Sequence, residues 1–132
     1  MYRYADIFAV ETVVEIADTD QLVALFCITF RDFIVSSELE GTDTVIDFGE
    51  GKVILRPTIA GLRIRIVSDS LVGYLGCREL LRLHLADRHV IHDEDYTWMP
   101  ASEVPFAMLD KPAGNGSAGW TWAALMSSGG SR

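Results

Sequence analysis

The sequence predicts an α+β fold: a two-layer sandwich in the order βαββββα, with two helices on one face of a five-stranded antiparallel sheet. Ile7 to Ile16 alternates with period two, and Leu22 to Phe33 carries apolar residues at helical spacing. Four short strand-like runs between Val35 and Ser68 are then joined by turns too short for anything but antiparallel hairpins. A second helix ending near Arg88 completes the set.

In the first run Phe8, Val10, Thr12, Val14 and Ile16 share one face and Ala9, Glu11, Val13 and Glu15 the other, as in a strand with one wet side. Asp18-Thr19-Asp20-Gln21 reads as a capping box, with Asp18 accepting from the first turn and Gln21 reaching back. The helix it opens aligns Leu22, Leu25, Phe26, Thr29, Phe30 and Phe33. Its polar positions are few, so cover on more than one side is expected. Val35–Glu40, Thr44–Phe48, Lys52–Arg56 and Leu62–Ser68 follow as strands. Between them lie Gly41-Thr42-Asp43, Gly49-Glu50-Gly51 and the stretch from Pro57 to Gly61. Ser68-Asp69-Ser70 offers N-caps for the second helix. Gly73 and Gly76 inside that helix each cost about 1 kcal/mol relative to alanine, which suggests a close backbone approach there.

Residues 1–90 therefore form the core domain, and 91–132 an extended tail, acidic at Asp93-Glu94-Asp95 and Gly/Ser-rich from Gly114. Pro100, Pro105 and Pro112 break any long element in it. Trp98, Trp120 and Trp122 are out of place in a free tail, so partial docking is expected, on the domain itself or in a partner's groove.

With 132 residues and 49% hydrophobic content the chain can bury one ordinary core, which excludes disorder for its body. The net charge of −8 is unevenly spread: residues 1–51 hold 11 acidic and 2 basic side chains, whereas 52–92 hold 3 and 7. Such a chain is repelled by a phosphate backbone, so no nucleic-acid partner is expected. The longest near-apolar run, Leu22 to Phe30, is too short to span a bilayer, and no membrane association is expected. The start lacks the pattern of a signal peptide, and Cys27 and Cys77 form no CxxC pair. Both point to a cytoplasmic protein with reduced thiols.

The run Thr44-Val45-Ile46-Asp47-Phe48-Gly49-x-Gly51-Lys52-Val53-x-Leu55 continues into Leu62-x-Ile64-x-Ile66 and Leu80-Leu81-x-Leu83-His84-Leu85-x-x-Arg88. It resembles a small bacterial domain of unknown function, found alone or fused to siderophore-interacting, flavin-binding ferric reductases. The resemblance covers roughly residues 10–90. Ile34-Val35-Ser36-Ser37 stands where that family carries aromatic and basic residues, and the stretch after Val90 has no counterpart. The resemblance implies an accessory role near iron–siderophore handling. The flavin and nicotinamide sites of those reductases lie in other domains, so no cofactor and no reductase activity are implied.

Three residue sets are candidates for function. Arg63 and Arg65 alternate with Leu62, Ile64 and Ile66, so they project from the sheet face away from the helices, where Arg56 joins them. Guanidinium forks there could hold a small anionic ligand, a carboxylate, phosphate or catecholate. The same charges could pair across strands with Glu11, Glu15, Glu38 and Glu40, or make the face self-complementary in a homodimer. His84, His89 and His92 with Asp93, Glu94 and Asp95 form the metal-like set, with His89, His92 and Asp93 the best placed. Their spacing is loose, and Arg78, Arg82, Arg88 and His89 equally suit the negative end of a helix dipole. Trp98, Trp120 and Trp122 are the partner-binding set. Ser36, Ser37, Ser68 and Ser70 have no placed base and Gly49-Glu50-Gly51 is no phosphate loop, so an enzyme is not expected. The expectation is a non-enzymatic binding or accessory domain working through an open sheet face; the alternative is an interaction module whose tryptophan-bearing tail docks on a partner.

Overall fold

In a computed structural model, which describes residues 3–4, 7–89 and 91–110, the chain begins with β1 (Arg3–Tyr4), β2 (Ile7–Val14) and α1 (Thr19–Thr29). A 3-10 turn (Arg31–Phe33) leads into β3 (Ser36–Glu40), β4 (Asp43–Asp47), β5 (Lys52–Thr58) and β6 (Gly61–Ser68). Then come α2 (Leu71–His89), a second 3-10 turn (Asp93–Asp95) and β7 (Met99–Pro100). Two helices and an antiparallel sheet make an α+β fold.

The strands lie in the order β1-β2-β6-β5-β4-β3, and β7 also pairs with β2, beside β1. The five expected strands are β2 to β6. The sheet gains two more because β1 and β7, at two residues each, are too short to show any periodicity.

Register follows from the alternation. Val10, Thr12 and Val14 stand opposite Ile66, Ile64 and Leu62, which in turn face Val53, Leu55 and Pro57. Val10, Val14, Leu62, Ile64, Ile66, Val53 and Leu55 are all buried against Leu22 and Phe26 of α1 and Tyr74, Cys77, Leu81 and Leu85 of α2. A one-residue slip would turn this row away from the helices, so burial holds the register.

The helix starts differ from expectation in one place. Ser70 caps α2 by accepting the Gly73 amide at 3.0 Å, as the serine cluster suggests. Asp18 stands at the N-cap of α1 but adopts left-handed φ/ψ (55°, 45°), and its side chain makes no capping bond. A capping side chain needs the β-region backbone that Asp18 lacks. The apolar stripe of α1 is also narrower than expected. Of its expected members Leu22 and Phe26 are buried and Leu25 and Phe30 half-buried, whereas Thr29 is exposed and Phe33 leaves the helix for the 3-10 turn, where it is 62% exposed.

Only one of the two helical glycines marks a close approach. A methyl group on Gly73 would sit 2.0 Å from the Glu50 carbonyl oxygen, and Ser68 Oγ donates to that same oxygen at 2.5 Å. The tight β4–β5 turn is thereby fastened to the start of α2. Gly76, in contrast, faces open space.

The sheet face away from the helices is covered, not open, over its centre. Met99, Phe106 and Leu109 form a second buried cluster, packed on Val13 and Ile54 of that face and on Met108. Residues 99–110 thus lie across the strands on the side expected to face solvent. No helix among the described residues is long and apolar enough to cross a membrane.

Candidate functional site

The three arginines do share the second sheet face, and each has a carboxylate. Arg63 opposes Arg56 on β5 and Val13 on β2, and Arg65 opposes Ile54 and Glu11. Arg65 Nη1 donates to Glu11 Oε2 at 2.6 Å, with side chains only 3% and 0% exposed. Phe106 N–H donates to the same oxygen at 2.6 Å, so the covering segment is bonded directly into the pair. Arg56 donates through Nε and Nη2 to both oxygens of Asp43, at 2.5 and 2.9 Å, and its guanidinium lies 4.6 Å from the Phe106 ring centroid. The Asp43 hydrogen bonds raise the Arg56 pKa further. Arg63 Nη1 reaches Asp110 at 2.6 Å at the end of the covering segment.

Of the expected cross-strand partners only Glu11 is used, by Arg65; Arg56 pairs with Asp43 and Arg63 with Asp110, and no ion pair among the described residues joins these arginines to Glu15, Glu38 or Glu40. This geometry also removes the basis for a self-complementary face. The basic half is engaged within the chain, and what remains exposed on β3 is acidic, with Glu38 and Glu40.

The two histidines whose side chains are described, His84 and His92, stand in different settings. His84 is buried on α2, edge-on to the rings of Phe26 at 5.4 Å and Phe30 at 6.1 Å. His92 is exposed and its amide donates to Asp95 Oδ2 at 2.8 Å. The side chains of His89 and Asp93 lie outside the described residues. Among the described residues no group of three or more His, Cys, Asp or Glu is placed to hold a metal ion.

Trp98 is half-buried against the core, edge-on to Tyr96 at 5.9 Å, with the Arg78 guanidinium 5.3 Å from its ring centroid. It is engaged in its own domain. Trp120 and Trp122 lie outside the described residues.

Two surfaces went unnoticed in the sequence. The first is the outer edge of β3. It ends the strand order, all five of its residues are exposed, and no strand among the described residues pairs with its outer side. The opposite edge of the sheet is shielded by β1 and β7. Ser37 stands opposite Ile46, a core residue, so Val35, Ser37 and Leu39 fall on the helix side and Ser36, Glu38 and Glu40 on the other. Leu39 is 73% exposed and Val35 is exposed as well. Beside this edge runs a mainly apolar groove of about 300 Å³, bounded by Phe33, Phe48, Val72, Cys77 and Leu80 with Glu50 among its walls. Burial pushes the Cys77 thiol up to about 11, so it is an apolar wall and not a nucleophile. The second surface is a cleft on the other side of α2, between Arg78 and Trp98. The signal available for the first was the acidic Glu38-Leu39-Glu40, which patterning alone could not distinguish from a solvated hairpin.

These features place the protein among small α+β domains with an open strand edge. No family model and no curated protein matches the chain. Its fold is similar to that in the NMR structure of PA4090 from Pseudomonas aeruginosa, with a TM-score of 0.58 at 18% identity over 72% of this chain and 98% of that one. At that identity the likeness concerns the fold alone.

Proposed function

We propose that the protein is a non-enzymatic binding domain that captures an extended segment of a partner protein along β3. The reading rests chiefly on the unpaired outer edge of β3, which offers backbone donors and acceptors to an added strand. The side chains set the chemistry of the occupant. Residues facing Val35 and Leu39 on the helix side should be apolar, and those facing Glu38 and Glu40 basic. The adjoining groove would take a larger apolar anchor. A second copy is disfavoured, because two β3 strands paired about a two-fold axis bring glutamates together.

The iron–siderophore setting implied by the family resemblance belongs to this proposal as the place to look for the partner. The three sheet arginines are left out of the binding surface because each is held by a carboxylate within the chain. The test is a ¹⁵N NMR titration with a short peptide alternating valine and lysine. Shifts concentrated on residues 35–40 that vanish in Glu38→Lys/Glu40→Lys support the reading. Shifts elsewhere, or an unchanged response in that variant, overturn it. A siderophore-interacting reductase should compete with the peptide if the iron–siderophore setting is right.

A further inference from the structure

We infer that the cleft between α2 and the irregular 96–98 segment is a binding site for a small aromatic carboxylate. It has a volume of about 470 Å³ and is lined by Leu75, Arg78, Glu79, Arg82, Tyr96 and Trp98. That size lies within the usual range for small-molecule sites.

Arg78 is the centre of the argument. Its Nη1 donates to Tyr74 Oη at 2.8 Å, and its guanidinium stands 5.3 Å from the Trp98 ring centroid and 5.9 Å from that of Tyr74. These partners are neutral, and among the described residues Arg78 meets no carboxylate. Arg56, Arg63, Arg65 and Arg82 each have one, at 2.6 Å or less. A half-buried guanidinium held in place by an aromatic frame, with no carboxylate beside it among the described residues, is left to take one from a ligand, which its fork matches bidentately.

The remaining walls specify what carries the carboxylate. Trp98 and Tyr96 present ring surfaces and Leu75 an aliphatic one, which suits a flat apolar body stacked beside the guanidinium. Local charge agrees. Two arginines against one glutamate leave the lining at +1, on a chain whose net charge is −8. Glu79 is restrained at the rim by Arg82, which donates to it through Nε at 3.0 Å and Nη2 at 2.5 Å. A second anion drawn to Arg78 would loosen that pair and share Arg82.

The site is separate from the β3 edge, on the opposite side of α2, so either can fail without the other. The experiment is a ¹⁵N NMR titration of the full chain with 2-naphthoate, with 2-naphthamide as the neutral control. Naphthoate is expected to move the amides of Leu75, Arg78, Glu79 and Trp98, and the amide to move them at least about tenfold less effectively. Arg78→Met should weaken naphthoate by a similar factor, whereas Glu79→Gln should tighten it about threefold by removing the competing charge. Where Arg78→Met perturbs folding, Arg78→Lys serves, and a several-fold loss is expected because an ammonium cannot make the fork. Equal binding of acid and amide, shifts outside the cleft, no shifts at millimolar ligand, or indifference to Arg78→Lys and Glu79→Gln would each overturn the assignment.

Discussion

Glu11 on β2 and Arg65 on β6 form a buried ion pair at 2.6 Å whose carboxylate oxygen also accepts the amide of Phe106. One carboxylate therefore joins two central strands and the segment that covers them. Desolvating two charges is unfavourable, and the attraction between them plus the extra hydrogen bond is what offsets it. Removing either partner strands the other in the interior.

Glu11→Ala is accordingly expected to destabilise the protein by about 3–5 kcal/mol in denaturant unfolding. Glu11→Leu combined with Arg65→Leu should recover most of that, since no uncompensated charge remains. If the double variant is as unstable as the single one, the pair is more than a compensated burial.

Phe106 lies fully buried over the second sheet face, beneath the Arg56 guanidinium. Phe106→Ala should cost about 3–5 kcal/mol. Hydrogen exchange should then accelerate on 99–110 and β2 while α1 keeps its protection. By contrast, Asp110→Asn should change stability by less than about 1 kcal/mol, because the Arg63 pair is solvent-exposed on the aspartate side.

The two glycines of α2 predict opposite outcomes. Gly73→Ala forces a methyl group onto the Glu50 carbonyl and should destabilise by at least about 2 kcal/mol. Gly76→Ala meets nothing within 4 Å and should stabilise by up to about 1 kcal/mol through helix propensity. Melting temperatures of the two variants, measured side by side, decide it.

Burial raises the Cys77 thiol from its ordinary 9.0 to about 11, so the folded state holds this proton where the unfolded chain releases it. The associated stability is fully present below pH 9 and is lost as pH rises toward about 11. The stability advantage of the natural chain over Cys77→Ala should shrink across that window. Alkylation of Cys77 by iodoacetamide at neutral pH should be slow until the protein unfolds.

What the sequence determined by itself is the part written in local periodicity. The alternation of Ile7 to Ile16 and of Leu62 to Ile66, the glycine-bearing turns and the serine cap at Ser70 specify the strands, the hairpins and the start of α2. It also placed Arg56, Arg63 and Arg65 on one face correctly, because side-chain direction in a strand follows parity. Only the tertiary structure decided what that face does. Phe106 is 95 residues from Glu11, and Asp110 is 47 from Arg63. No local pattern encodes contacts at such separations. The segment 101–110, irregular in backbone, carries its apolar residues without a period, so its landing place depends on the shape and charge of a surface that exists only after the strands have paired. The same holds for Arg78. Its spacing on α2 marks a helix face, but its aromatic frame comes from Trp98, delivered by the chain after the helix ends.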